Sequence, residues 1–188
     1  MNIKALTLFG LAAIIAAGVG LVLFQLGNGM ADTREGINAT QQYSEVYTTQ
    51  KFSDFTIETI DGQTIALKDL QGKYVIIWLM LPVGCPTCVY QAGEIKDFIE
   101  EYGGDEVVVI AVSVLKYQGV EDNIREFLEK NGMPGWIAAI DNQGLGVKFE
   151  IPEMGVVVLG PDGSVIYKGV PSASSEELAR ALDMKPLT

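Results

Sequence analysis

The segment Tyr74 to Leu81 reads YVIIWLML, an unbroken apolar run. A strand with one wet face alternates apolar and polar residues, whereas a continuous run is the mark of a strand covered on both faces. Such a strand needs a layer above it and a layer below it. A second run, Glu106 to Leu115 (EVVVIAVSVL), repeats the demand. Between and after these runs the period changes to that of helices, over Thr87 to Tyr102 and over Val120 to Asn131, where Ile124, Phe127 and Leu128 share a face and Asn131-Gly132 ends the helix before Pro134. Shorter elements complete the series. Phe55 to Ile60 and Gln63 to Leu67 flank Asp61-Gly62, a hairpin signal because glycine accepts the positive φ of a tight turn. Trp136 to Ile140 reads as a short strand and Leu145 to Phe149 as a short helix. Val156 to Leu159 and Ser164 to Lys168 form a second hairpin about Gly160-Pro161-Asp162-Gly163. A last helix begins at Ser174, with Glu177 completing a capping box. Strands alternating with helices and ending in a hairpin and a helix predict an α/β domain, with a mixed central sheet flanked by helices.

The first residues have a different character. Ala5 to Leu26 carries no charge, and at about 1.5 Å per residue it makes a helix of roughly 33 Å, enough to cross a bilayer core. Cleavable signal peptides have shorter apolar regions and an Ala-x-Ala-like site, which Gln25 to Asp32 lacks. The sequence therefore predicts a transmembrane anchor over 1–27, a polar linker over 28–51 and a globular domain over 52–188. Lys4 precedes the apolar segment, so the positive-inside rule leaves the N-terminus in the cytoplasm and the domain on the extracytoplasmic side of the cell membrane.

Charge and rare residues exclude several functions. A formal net charge of −11 repels phosphate backbones and anionic headgroups, which argues against nucleic acid as a partner. The chain has no histidine, which removes Ser-His-Asp and Cys-His catalysis and the commonest metal ligand. Its 2 cysteines are too few for a four-ligand zinc site within one chain. No metal and no cofactor is expected, and a redox pair is the default reading.

That pair, Cys85 and Cys88 in Cys85-Pro86-Thr87-Cys88, stands where a buried strand turns into a helix, the usual place for a site in an open α/β sheet. Residues three apart on a helix approach to about 5–6 Å, which suits the Cα separation of a disulfide. The N–H groups and dipole at a helix start stabilise an anion, lowering a thiol pKa from about 8.5. Cys85 takes most of that field, so it is assigned as attacking thiolate and Cys88 as resolving thiol. Pro86 suits a first helical turn, where its missing N–H would have no partner. A purely structural disulfide is the weaker reading, because closing so short a loop removes little chain entropy.

With these residues in place the chain resembles the thioredoxin-like redoxin group, which includes peroxiredoxins and the membrane-anchored TlpA and ResA type reductases. The resemblance runs from about Phe52 to Asp183. It is carried by Phe52-Ser53-Asp54-Phe55, Asp61-Gly62, Leu67 to Lys73, Cys85-Pro86-Thr87-Cys88, Ile140 to Gly144, Phe149-Glu150-Ile151 and Leu159 to Gly163. It implies a thioredoxin-like fold with the entry strands as an N-terminal hairpin. It also implies an oxidoreductase acting on protein thiols and disulfides and supplied by an upstream thiol reductant. The chain departs from the group in three places. Gly84 rather than Trp precedes the first cysteine, and Leu81-Pro82-Val83 lengthens that loop. No Asp or Glu lies between Tyr74 and Gly84, leaving Glu94 and Glu153 as the nearest candidate proton acceptors. Met154-Gly155 stands where the group places a residue and a cis-proline facing the sulfurs, with Pro152 slightly upstream.

Pro86, Thr87, Met154 and Gly155 are accordingly the candidate substrate-binding residues. A non-proline cis peptide costs about 2.5–4 kcal/mol, so the Met154–Gly155 bond is expected to be trans. Gly155, lacking Cβ, is expected to leave space beside the sulfurs, giving a broader groove and some affinity for soft metals through the reduced thiols, with sharing across two chains as one arrangement. Two other functions compete with the disulfide reading. A thiol peroxidase would need Pro at 78 and Thr at 82, where Trp78 and Pro82 stand, and no Arg lies between Arg125 and Arg180 to polarise a peroxide. A metal-binding thiol carrier resembling the copper-delivery relatives of the fold would need a wider cysteine spacing and a histidine.

Overall fold

A computed structural model describes residues 55–103, 106–151 and 153–187. The expected anchor and linker lie outside the described residues, as does Pro152. Among the described residues no helix is long and apolar enough to cross a membrane.

Two short strands, β1 (Thr56–Glu58) and β2 (Thr64–Ala66), pair antiparallel, with Ile57 opposite Ile65. Their turn is closed by Gly62 N–H donating to Thr59 O, and Gly62 holds φ of 76°, a left-handed conformation that a Cβ would strain. A 3-10 turn over Leu67–Leu70 follows. The chain then enters the main sheet, built from β3 (Tyr74–Met80), β4 (Val107–Ser113), β5 (Ile137–Ile140), β6 (Gly155–Leu159) and β7 (Val165–Gly169). Their spatial order is β5-β4-β3-β6-β7. The first three run parallel, while β6 lies antiparallel to β3 and β7 antiparallel to β6. The sheet is therefore mixed. Its helices are α1 (Pro86–Glu101), α2 (Val120–Lys130), α3 (Leu145–Lys148) and α4 (Ser175–Ala181).

The central strand explains its own composition. Ile76, Trp78 and Met80 face one buried cluster, with Cys88, Ala92, Ile95 and Phe98 of α1, Ile124 and Leu128 of α2, and Leu178 of α4. Val75, Ile77 and Leu79 face the other, with Ile57, Leu67, Leu145, Phe149 and Ile151. Adjacent residues of a strand point to opposite faces. A strand with cores on both sides must be apolar at every position, which is what YVIIWLML supplies.

Helix ends agree with the local signals. At α4 the Ser174 hydroxyl accepts from Glu177 N–H at 3.2 Å, and the Glu177 carboxylate accepts from Ser174 N–H at 2.8 Å. The α1 helix begins one residue earlier than the predicted Thr87, with Pro86 as its first residue and Cys85 as its N-cap.

Candidate active site

The site forms where β3 ends and α1 begins. Between them Leu81-Pro82-Val83-Gly84 carries the chain out of the sheet, with Pro82 buried and Val83 exposed. Gly84 has φ of +66°. That left-handed backbone disfavours a side chain, which gives a physical reason for glycine at the position where the redoxin pattern has Trp.

Cys85 and Cys88 are joined in a disulfide with Cα atoms 5.2 Å apart, within the range expected for residues three apart at a helix start. The two sulfurs differ in their surroundings. Cys85 is half-buried, and its Sγ accepts from Cys88 N–H at 3.0 Å as the helix N-cap. Cys88 is 1% exposed, and its Sγ accepts from Leu81 N–H at 3.3 Å. A partner thiol approaching from solvent therefore meets Cys85. Cys88 waits behind it, held by a backbone donor from the strand end. Pro86 is exposed beside Cys85 and Thr87 is half-buried. Val83, Val89 and Tyr90, at 58%, 50% and 54% exposure, add apolar surface on the same loop and first helical turn.

Among the described residues the buried polar side chains are Gln91, Ser113 and Ser175, so no buried carboxylate serves the sulfurs. Glu94 is engaged elsewhere: its carboxylate accepts from Ser175 N–H at 2.8 Å, at the start of α4. It also hydrogen-bonds the Tyr90 hydroxyl, the main cause of that phenol's raised pKa. Glu153 is exposed.

Met154 and Gly155 part company. The peptide joining them is trans, since the one cis bond among the described residues is Val170–Pro171. Met154 is half-buried and its Sδ lies 3.9 Å from Cys85 Sγ, so the thioether stands directly against the outer sulfur. Gly155 is buried and does not open space there. A Cβ added to it would meet Gly169 O at 2.5 Å and the side chains of Ile151 and Val170 at 3.3 Å. Ile151 and Val170 belong to the core on the far face of the sheet from Cys88. The expected space beside the sulfurs is thus corrected: glycine at 155 lets β6 lie close to β7.

One supporting residue escaped the sequence reading. Gln91, 1% exposed, clamps the segment after β7, with Nε2 donating to Ala173 O at 3.0 Å and Ala173 N–H donating to Oε1 at 2.6 Å. The signal was a polar residue one turn after Cys88 on the apolar face of α1. Together with Glu94 it ties the active-site helix to the start of α4.

Comparison with known proteins agrees with this geometry. The pattern of the AhpC/TSA family matches residues 48–168. Thioredoxin-like protein YneN of Bacillus subtilis is 24% identical over 156 residues, covering 79% of this chain and 89% of that protein. Peroxiredoxin Bcp of the same organism is 26% identical over 102 residues, covering 54% of this chain. The match spans only 62% of the peroxiredoxin's length. Among solved structures, a thioredoxin-like protein from Aeropyrum pernix superposes with a TM-score of 0.60 at 28% identity, covering 69% of this chain and 88% of that one. With a mixed sheet of thioredoxin-like topology and a Cys-x-x-Cys disulfide at the start of its first long helix, the chain belongs to the AhpC/TSA family of redoxins.

Proposed function

We propose that this oxidoreductase is a membrane-anchored thiol–disulfide oxidoreductase of the extracytoplasmic side, reducing or exchanging protein disulfides through Cys85 and Cys88. The observation that carries the reading is the unequal burial of a bonded pair: an accessible Cys85 at the helix start over an enclosed Cys88. In the reductive direction the Cys85 thiolate attacks a substrate disulfide, forming a mixed disulfide and releasing one substrate thiolate. Cys88 then attacks Cys85 Sγ, releases the second substrate thiolate and closes the Cys85–Cys88 bond. The Cys88 N–H beside Cys85 Sγ favours the anion at each exchange. An upstream dithiol returns the pair to the reduced state, taking up the disulfide in turn. Exposed Val83, Val89 and Tyr90 suit a polypeptide substrate, whose apolar side chains they would cover. Anchoring and topology rest on the uncharged run Ala5 to Leu26 behind Lys4.

A second reading, thiol peroxidase, is favoured by the likeness to Peroxiredoxin Bcp. Against it, Trp78 and Pro82 are buried where the peroxidatic pattern has Pro and Thr. Arg125 is paired with Asp61 and Asp122. An insulin-disulfide reduction assay beside a peroxide consumption assay tests both. Disulfide reduction with no peroxide turnover is expected, and the reverse result overturns the proposal.

A further inference from the structure

We infer that the reduced protein holds one monovalent copper ion on three sulfurs, Cys85 Sγ, Cys88 Sγ and Met154 Sδ. This goes beyond disulfide exchange, although it uses the same pair of thiols. Among the described residues no three His, Cys, Asp or Glu side chains come together, so a site for a hard divalent cation is missing. The thioether changes the chemistry. Thiolate and thioether sulfur are soft donors that favour Cu(I), zinc and iron–sulfur clusters, and of these Cu(I) suits three sulfurs with no fourth ligand.

One distance favours a trigonal site. With metal–sulfur bonds of about 2.3 Å, as for metal thiolates, a three-coordinate ion places its sulfurs about 4 Å apart. Met154 Sδ already stands 3.9 Å from Cys85 Sγ. A second edge, from Cys85 to Cys88, is closed by the disulfide when the pair is oxidised. A dithiol reductant opens that edge: the reductant is oxidised to its disulfide, and two protons and two electrons convert the bond to two thiols. Binding of Cu(I) then releases both thiol protons and leaves a complex of net charge −1. The Cys88 N–H on Cys85 and the Leu81 N–H on Cys88 point donors at the two sulfurs that carry that charge.

The surroundings also suit a soft ion. Cys88 is enclosed, Met154 is half-buried, and Trp78, Met80 and Leu81 pack in the same apolar cluster as the three sulfurs. Water has restricted access to the inner side, and no carboxylate is buried there to recruit a harder cation. Oxidation to the disulfide removes two of the three donors. Copper loading is therefore confined to the reduced state, and a bound ion blocks Cys85 from attacking a disulfide.

The test uses Cu(I) itself, added anaerobically to the reduced full-length chain against a chromogenic Cu(I) chelator. One ion per chain and three sulfur neighbours by X-ray absorption at the copper edge are expected. Met154→Leu, close to the original in volume, should weaken Cu(I) at least tenfold and lower the sulfur count to two. Selenomethionine-labelled protein supplies a readout that needs no substitution: a selenium neighbour should be seen from the copper. Two sulfurs and no selenium, unchanged affinity in Met154→Leu, or half an ion per chain would each overturn the inference. Insulin reduction on the same preparation keeps the two readings apart. Activity retained with two-sulfur copper overturns the metal site alone, and activity absent with three-sulfur copper overturns the oxidoreductase reading alone.

Discussion

Gln91 makes the sharpest energetic claim about how the site is held. It projects from α1 one turn beyond Cys88, and its amide exchanges two hydrogen bonds with the backbone of Ala173, at 2.6 Å and 3.0 Å. Replacing it by Leu conserves approximate volume and removes both partners. The Ala173 N–H and C=O would then be left unpaired in a region closed to water, at about 1–3 kcal/mol each, or about 2–6 kcal/mol in all. With a urea m-value of about 2 kcal/mol/M, the midpoint of unfolding should fall by roughly 1–3 M while m stays constant. Fluorescence of Trp78, buried against Phe127 and Trp136, provides the signal. Because the clamp fixes α1 to the segment leading into α4, insulin reduction should fall too, even under conditions where the variant is folded. A midpoint shift under roughly 0.3 M would refute the reasoning, since it would mean that the two backbone groups find other partners at no cost.

The remaining predictions concern the sulfurs, the strand beside them and alkaline stability. Cys88→Ser should trap mixed disulfides with substrate while Cys85→Ser should not, read by non-reducing electrophoresis; trapping by both variants would remove the assignment of roles. Gly155→Ala should destabilise the fold by about 1–3 kcal/mol in the same urea assay, because its methyl would meet Gly169 O at 2.5 Å. Burial, aided by Glu177, pushes the Tyr167 phenol up to about 12. A phenol whose folded pKa exceeds its ordinary value of about 10 contributes stability that is full below pH 10 and lost as pH rises towards 12. Thermal unfolding across that window should show the loss, and Tyr167→Phe should flatten it.

Much of this was legible in the sequence because it depended on local chemistry. Continuous apolar runs identified β3 and β4 as strands with cores on both faces, and Ser174 with Glu177 announced the start of α4. Cys85-Pro86-Thr87-Cys88 located the disulfide because a helix start brings residues three apart together. What stayed hidden depended on contacts between distant segments. Gln91 and Ala173 are 82 residues apart, and a glutamine on a helix gives no sign of which backbone it will clamp. Glu94 could be read only as a charge near the cysteines until Ser175, 81 residues on, supplied its donor.

The Met154-Gly155 pair shows how a sound motif can still mislead. Treated as a unit replacing a residue and a cis-proline, both positions were expected to face the sulfurs. The pair stands at the head of β6, however, and a strand alternates its sides. Val156 and Val158 belong to the core shared with Cys88, while Val157 and Leu159 belong to the opposite core. Counting back by twos puts Met154 with Cys88 and turns Gly155 away, where Gly169, Ile151 and Val170 surround it. The period-2 rule was available from sequence and would have separated the two residues. It leaves the chemistry beside Cys85 to the thioether, a soft and polarisable group 3.9 Å from the Cys85 sulfur. The close packing of β6 on β7 falls to the glycine, whose lack of Cβ keeps that thioether's strand in place.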